Sequence, residues 1–253
     1  MTVLVEDSEG IRTITLNRPE RLNALDGDTL AALANGIETA GEARVIIIRG
    51  TGRAFCAGND LKWLASGVLD ELGAHMRHQD LMQRTYEMIG AAPQAVIASV
   101  NGLAFAGGFE LALACDIIVA DEAVEMGDEH MRKNLLPSGG SSQRLPRKIG
   151  LARGMYYLLT GRRMTGREAA EIGLVSLAVP GDTLEAETRA LALEIASRDA
   201  RAIANMKIMV RRGIELPLSD ALSHERWIQY RYRNESAAMI ASVKAFAAKG
   251  ASK

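Results

Sequence analysis

Residues 95–120 read AVIASVNGLAFAGGFELALACDIIVA. Residues 95–100 are apolar apart from Ser99, the pattern of a strand buried on both faces. Asn101-Gly102 closes that strand with turn residues. Gly107-Gly108 opens a helical run from Phe109 to Ala114, and residues 116–120 return to a buried strand. Strand, loop, helix and strand in that rhythm predict right-handed crossovers, and hence an α/β core.

The rhythm extends upstream. Residues 45–48 form another short, fully apolar, β-branched run, followed by what reads as a loop over 50–58. Residues 11–16 are β-rich. Residues 26–40 carry Leu30, Leu33, Ala34 and Ile37 at helical spacing. Residues 72–89 read as a polar helix with Met76, Leu81, Met82, Tyr86 and Met88 on its buried side. From about residue 140 the strand signals fade. Segments 145–161, 165–173, 182–198, 200–213 and 216–249 read as helical, with one β-like interruption at 174–179. Thr165 with Glu168 three residues on forms a capping box, and Pro180-Gly181-Asp182 marks a turn. An α/β core is therefore followed by a helical C-terminal part, with no linker and no repeat.

Hydrophobic residues make up 48% and charged residues 24% of the 253 residues. That suits a globular chain and excludes a disordered or collagen-like one. Lys plus Arg number 30 against 31 Asp plus Glu, so no basic excess supports nucleic-acid binding. Two cysteines, Cys56 and Cys115, argue against a disulfide scaffold and for a reduced cytoplasmic setting. The start, MTVLVEDSEGIRTITL, lacks the basic and apolar regions of a signal peptide. No apolar run approaches the roughly 20 residues that span a bilayer, so no membrane partner is expected.

Several motifs are absent: the P-loop, the Rossmann glycine fingerprint, G-x-S-x-G, H-E-x-x-H and paired CxxC. His75 and His78, three apart with Asp80 nearby, share a helix face that suits a metal or, more simply, a solvated surface. The solvated surface is the expectation, and no metal site is expected.

Two glycine-containing loops stand out, residues 53–62 (RAFCAGNDLK) and 101–111 (NGLAFAGGFEL). Each follows a buried strand and can place main-chain N–H groups at its end. Two such donors aimed at one point would suit charge developing on a carbonyl oxygen; connectors of this kind are also common without chemistry. Glu110 lies in the apolar stretch Phe109-Glu110-Leu111-Ala112-Leu113-Ala114, where it should be at least half buried. Burial there can tune it for acid–base work, although a structural ion pair or the helix's wet side is an equally open reading.

Taken in order, FCAGNDLKWL (55–64), VNGLAFAGGFELALACDIIVA (100–120), LLPSGGSSQRLPRKIG (135–150) and LLTGRRMTGREAAEIGLV (158–175) resemble the crotonase (enoyl-CoA hydratase/isomerase) superfamily. The resemblance runs from Asn17-Arg18-Pro19 to Phe246-Ala247-Ala248-Lys249. It implies a spiral of ββα units over residues 1–195 and a helical C-terminal region over 196–253 that forms homotrimers, often paired into hexamers. It implies an acyl-CoA thioester whose carbonyl sits between the N–H groups of Asn59 and Gly107, where family hydratases usually carry alanine at the first position. The backbone around Arg21 and Ala24 and the side chain of Lys62 resemble the part that meets the CoA nucleotide. Phe246 and Lys249 resemble a C-terminal element that closes over CoA. The acyl pocket wall is expected to include Trp63 and residues 64–81.

Glu110 matches the first catalytic glutamate of family hydratases. The second lies seven residues before a proline; counting back from Pro137 gives His130, while Glu129 would need a one-residue shift. The implied activity is enoyl-CoA hydratase-like, with CoA as part of the substrate and no further cofactor. Isomerase, hydrolase or decarboxylase action on a CoA thioester, or a non-catalytic CoA-binding role, are the alternatives. Some members bind RNA, which the net charge of -1 does not support.

Overall fold

The computed structural model describes residues 1–250, with side chains described through residue 248. The chain opens with β1 (Val3–Ser8), β2 (Ile11–Leu16), α1 (Gly27–Glu38), β3 (Val45–Gly50), β4 (Ala54–Cys56), α2 (Leu61–Trp63) and α3 (Leu72–Ala91). It continues through β5 (Ala95–Val100), β6 (Leu103–Phe105), α4 (Gly107–Ala114), β7 (Ile117–Asp121), β8 (Glu125–Gly127), α5 (Ser141–Ile149) and α6 (Leu151–Thr160). It ends with β9 (Met164–Thr165), α7 (Gly166–Glu171), β10 (Leu177–Val179), α8 (Leu184–Ala196), α9 (Ala200–Gly213), α10 (Leu218–Glu235) and α11 (Ala238–Gly250).

Six strands form one sheet in the order β1-β2-β3-β5-β7-β10, and four short strands form a second, β4-β6-β8-β9. Among the described residues, only the β1–β2 and β8–β9 pairs are antiparallel. Coil after coil, the chain adds a long strand to the first sheet, a short strand to the second, and then a helix. This is the spiral of ββα units that the resemblance implies. The central strands β3, β5 and β7 are largely apolar because the large sheet is covered on both faces there, whereas the edge strand β1 is mostly exposed. Ile46, Ile48, Val96, Ala98 and Ile118 pack into the spiral's interior, while Val45, Ile47, Ile97 and Val119 pack against Leu184, Ala192 and Ala196 of α8. α4, buried along its whole length, sits at the centre.

Several expectations need correction. The segment 50–58 is not a loop throughout: it contains β4, which with β6 and β8 builds the second sheet. These strands have three residues each, too short for an alternating pattern to register. Residues 145–161 hold two helices parted at Gly150, and α5 begins earlier, at Ser141. Residues 216–249 likewise hold two helices, α10 and α11. α3 buries His78, Met82, Thr85, Tyr86 and Ile89, a stripe at helical spacing, whereas Met76 is 55% exposed. Apolarity alone favoured Met76 over His78 and Thr85; Thr85 Oγ1 donates to the Leu81 carbonyl at 2.7 Å. The capping box at Thr165 is present, with both reciprocal bonds formed.

The C-terminal helices are pinned to the core by charge. Lys207 on α9 reaches Asp116 (2.8 Å) and the Gln94 carbonyl (2.7 Å), and Arg211 reaches the same Asp116 at 2.7 Å. Among the described residues, no helix is long and apolar enough to cross a membrane.

Candidate active site

Two turns of the spiral meet at one point. After β4 the chain bends through Gly58 and Asn59; after β6 it bends through Ala106 into α4. Gly58 has φ +91°, and a Cβ there would lie 2.9 Å from the Gly107 nitrogen, so glycine is required for the turns to approach this closely. A Cβ on Gly108 would lie 1.9 Å from the Cys56 carbonyl oxygen, so α4 can seat against β4 only without one. Leu25 pairs with the first turn: its N–H donates to Gly58 O (2.8 Å) and its carbonyl accepts from Asp60 N–H (2.9 Å). In such a parallel bridge the intervening Asn59 directs its own N–H the other way. The Gly107 N–H, at the first helical position, has no helix carbonyl behind it. A Cβ built on Gly107 would stand 3.5 Å from the Asn59 nitrogen. Two main-chain donors from separate turns therefore stand side by side at a helix N-terminus, where a carbonyl oxygen gaining negative charge can meet both.

The donors are held from several sides. Ala106, the residue entering α4, has φ +46° and ψ −118°, a conformation that costs a non-glycine residue on the order of 1–3 kcal/mol. Its N–H bonds Gly127 O at 3.0 Å, and Tyr86 Oη donates to Gly107 O at 2.7 Å. Arg18 lies 2.9 Å from both Asp26 and Asp60 and donates to the Ala24 carbonyl at 2.7 Å, tying the Gly58–Asn59–Asp60 turn to its neighbour. Burial opposes the charge on Asp60, but the Trp63 N–H and the Arg18 guanidinium outweigh it and hold the carboxyl below its usual range.

His78 is not on a solvated surface. It is buried, 4.7 Å from the Trp63 ring, and its Nε2 lies 3.0 Å from Asn59 Oδ1. An amide oxygen only accepts, so Nε2 carries the proton. Burial and the nearby His75 keep the imidazole pKa below its usual range. Among the described residues, no group of three or more His, Cys, Asp or Glu is placed to hold a metal.

One turn into α4, Glu110 is 0% exposed. Its Oε1 accepts the Ser141 main-chain N–H at 3.0 Å, while its Oε2 has no hydrogen-bond partner among the described residues. Burial pushes its pKa above the usual carboxylate range, against the pull of the Ser141 N–H and of His130. His130 follows β8 and is buried beside Asp128, its Nδ1 2.9 Å from Asp128 Oδ2. Burial disfavours its cation, but the Asp128 hydrogen bond and charge, with Glu110 behind them, raise its pKa overall. Glu129, the other residue the register left in play, turns outward to Arg132 (3.0 Å) and Arg163 (2.5 Å). Cys56 and Cys115 are buried, and burial pushes both thiols up to about 12, so neither offers a thiolate.

The site thus brings together two main-chain amides, a buried carboxyl and an imidazole. The family model for enoyl-CoA hydratase/isomerase matches residues 6–253. The chain belongs to the enoyl-CoA hydratase/isomerase family. It is 39% identical over 223 residues to YngF of Bacillus subtilis (strain 168), whose name carries the term enoyl-CoA hydratase/isomerase; the match covers 87% of this chain and 85% of the relative. It is 37% identical to the mitochondrial enoyl-CoA hydratase domain-containing protein 2 of Bos taurus, over 88% of this chain and 77% of that one. The crystal structure of enoyl-CoA hydratase from Bacillus anthracis superposes with a TM-score of 0.93 at 33% identity, covering 98% of this chain and 97% of that one.

The other family-implied residues fall into two groups. Arg21 is exposed on a 3-10 turn, Ala24 is buried beside the Arg18 guanidinium, and Lys62 is exposed on α2. All three border the Asn59 turn, to which Leu22 is bonded through Ala57 N–H at 3.0 Å. Phe246, on α11, is 82% exposed and so is not packed against that turn within one chain. Lys249 lies on the last turn of α11, with its side chain outside the described residues. A separate cavity of about 1120 Å³ opens between α9 and the core, floored by Leu113, Ile117 and Ile203; neither Glu110 nor His130 lines it. Sequence reading missed Asp128, Ser141, His78 and Arg18 as site residues. Arg18 and Ser141 lie within quoted family segments, but nothing in their spacing reveals what they hold.

Proposed function

We propose that the protein is an acyl-CoA lyase of the enoyl-CoA hydratase type. The observation that supports this reading is the close approach of the Asn59 and Gly107 turns beside a wholly buried Glu110. In the proposed reaction the thioester carbonyl accepts both N–H bonds. Water adds its oxygen to Cβ of a 2-enoyl thioester while Glu110 takes the water's proton. The electron pair moves onto the carbonyl oxygen as an enolate, which the two amides stabilise most when its charge is greatest. His130, as imidazolium, returns a proton to Cα. Family relatives bearing hydratase names support this chemistry.

The CoA nucleotide is proposed to lie along Arg21, Ala24 and Lys62, and Phe246 and Lys249 to close over CoA from a neighbouring subunit of a homotrimer or a pair of trimers. CoA enters as part of the substrate, no separate cofactor is invoked, and a cytoplasmic setting is proposed from the cysteine usage. A second reading, double-bond isomerase, is favoured by one observation: an imidazole, with one proton-exchanging nitrogen, stands where a second water-holding carboxylate would. Incubating the protein with a panel of acyl-CoAs and following mass separates the readings. Gained water supports hydratase; unchanged mass with a moved double bond supports isomerase. Free CoA means hydrolase and loss of CO2 decarboxylase, while binding without any product means a non-catalytic role.

A further inference from the structure

Asp128 sits at the middle of a buried cluster that no family resemblance assigned. Its Oδ1 accepts the His130 main-chain N–H (3.3 Å), and its Oδ2 faces His130 Nδ1 (2.9 Å). The same Oδ2 accepts a hydrogen bond from Ser141 Oγ. Ser141 in turn donates its main-chain N–H to Glu110 Oε1 (3.0 Å). Asp128, Glu110, His130 and Ser141 are all buried, and α5 begins at Ser141, so one residue at a helix start touches both carboxyls. A carboxylate oxygen opposite a ring nitrogen requires the proton to lie on that nitrogen, which fixes the tautomer of the neutral ring.

We propose that Asp128 and Ser141 are positioning residues that hold His130 as the Nδ1–H tautomer, making Asp128–His130 a carboxylate–imidazole pair whose Nε2 exchanges the second proton of the reaction beside Glu110. Asp128 acts through His130 and not on the substrate. This inference rests on the proton-transfer role given to His130 above. The charges facing the ring are Asp128 and Lys133 from its own segment and Glu110 from α4; Glu129 is taken up by Arg132 and Arg163, and Arg144 of α5 faces Glu110. Asp128 is therefore the anion in direct contact with the ring. The Ser141 hydroxyl draws charge from Asp128, so removing it should strengthen the carboxylate's hold on Nδ1.

The test is 15N NMR of the imidazoles in the free protein, with His130 assigned through His130→Gln, together with kcat and KM against pH. Wild type should show the Nδ1–H tautomer whenever the ring is neutral. Asp128→Asn should lower the His130 pKa by roughly a unit or more and reduce kcat roughly 10²-fold with KM within about twofold. Ser141→Ala should move the His130 pKa the other way. A purely structural role would not give opposite signs. An Nε2–H tautomer in wild type, or a His130 pKa unchanged in both variants, would overturn the proposal. The NMR readout needs no turnover, so it separates failure of this pair from failure of the hydratase reading, which the product masses decide.

Discussion

At the scale of single residues, Glu110 and His130 carry the clearest consequences. Glu110→Gln keeps the shape and the bond to the Ser141 N–H but removes the proposed base. Its kcat is expected to fall roughly 10²–10⁴-fold while acyl-CoA binding, read by calorimetry, persists. Both groups have native pKa values raised above their ordinary ones, 4.5 for Glu110 and 6.5 for His130. The folded chain therefore holds these protons more tightly than the unfolded chain, and each contribution to stability is complete below the ordinary value and lost as pH rises through the native one. The His130 part should appear as a falling Tm above roughly pH 6.5, and His130→Gln should flatten that slope in melting curves. Glu110 was legible in sequence because a carboxylate amid Phe109, Leu111 and Leu113 is conspicuous. His130 came into view only by its distance from Pro137, under the family resemblance. Asp128 and Ser141 were not legible, since their pairing joins β8 to α5 across the fold and leaves no local pattern.

At the scale of elements, the site depends on how closely two turns approach. Gly58→Ala would force a side chain at φ +91° to within 2.9 Å of the Gly107 nitrogen. The expected result is a kcat loss of roughly 10²–10³-fold, comparable to losing one carbonyl-binding donor, with a lower Tm. Thr165→Ala should remove the capping box of α7 at a cost of about 1 kcal/mol, seen as a Tm drop of roughly 2–4 °C with kcat unchanged. The central strands β3, β5 and β7 were readable because burial on both faces made them almost wholly apolar, and α9 was found with its bounds intact; β1, mostly exposed, was not picked out. The second sheet was not readable. β4, β6 and β8 are three residues long, and what defines them is pairing between successive coils, which sequence periodicity does not encode. α3 failed in a different way: its buried stripe includes two polar residues that apolarity passes over, Thr85, which bonds back to the Leu81 carbonyl, and His78, which reaches Asn59.

At the scale of the whole molecule, the C-terminal helices expose an apolar face. Met206, Val210, Ile214, Leu218 and Trp227 are all more than half exposed in the single chain, an arrangement that association of copies would relieve. Light scattering is expected to give three or six times the monomer mass, and Ile214→Asp to shift the population toward monomer. A monomeric wild type would reject the assembly and, with it, closure of Phe246 over a neighbour's CoA.

The pairing of Asn59 and Gly107 has one last consequence. In the proposed reaction these contacts come from the main chain, so gripping the carbonyl does not depend on which side chains line the expected acyl pocket. Trp63 and the expected pocket residues other than His78, which bonds the Asn59 side chain, are therefore the positions to exchange in a library that seeks new acyl groups. The scaffold should accordingly tolerate broad retailoring of substrate preference, provided that Gly58 and Gly108 stay.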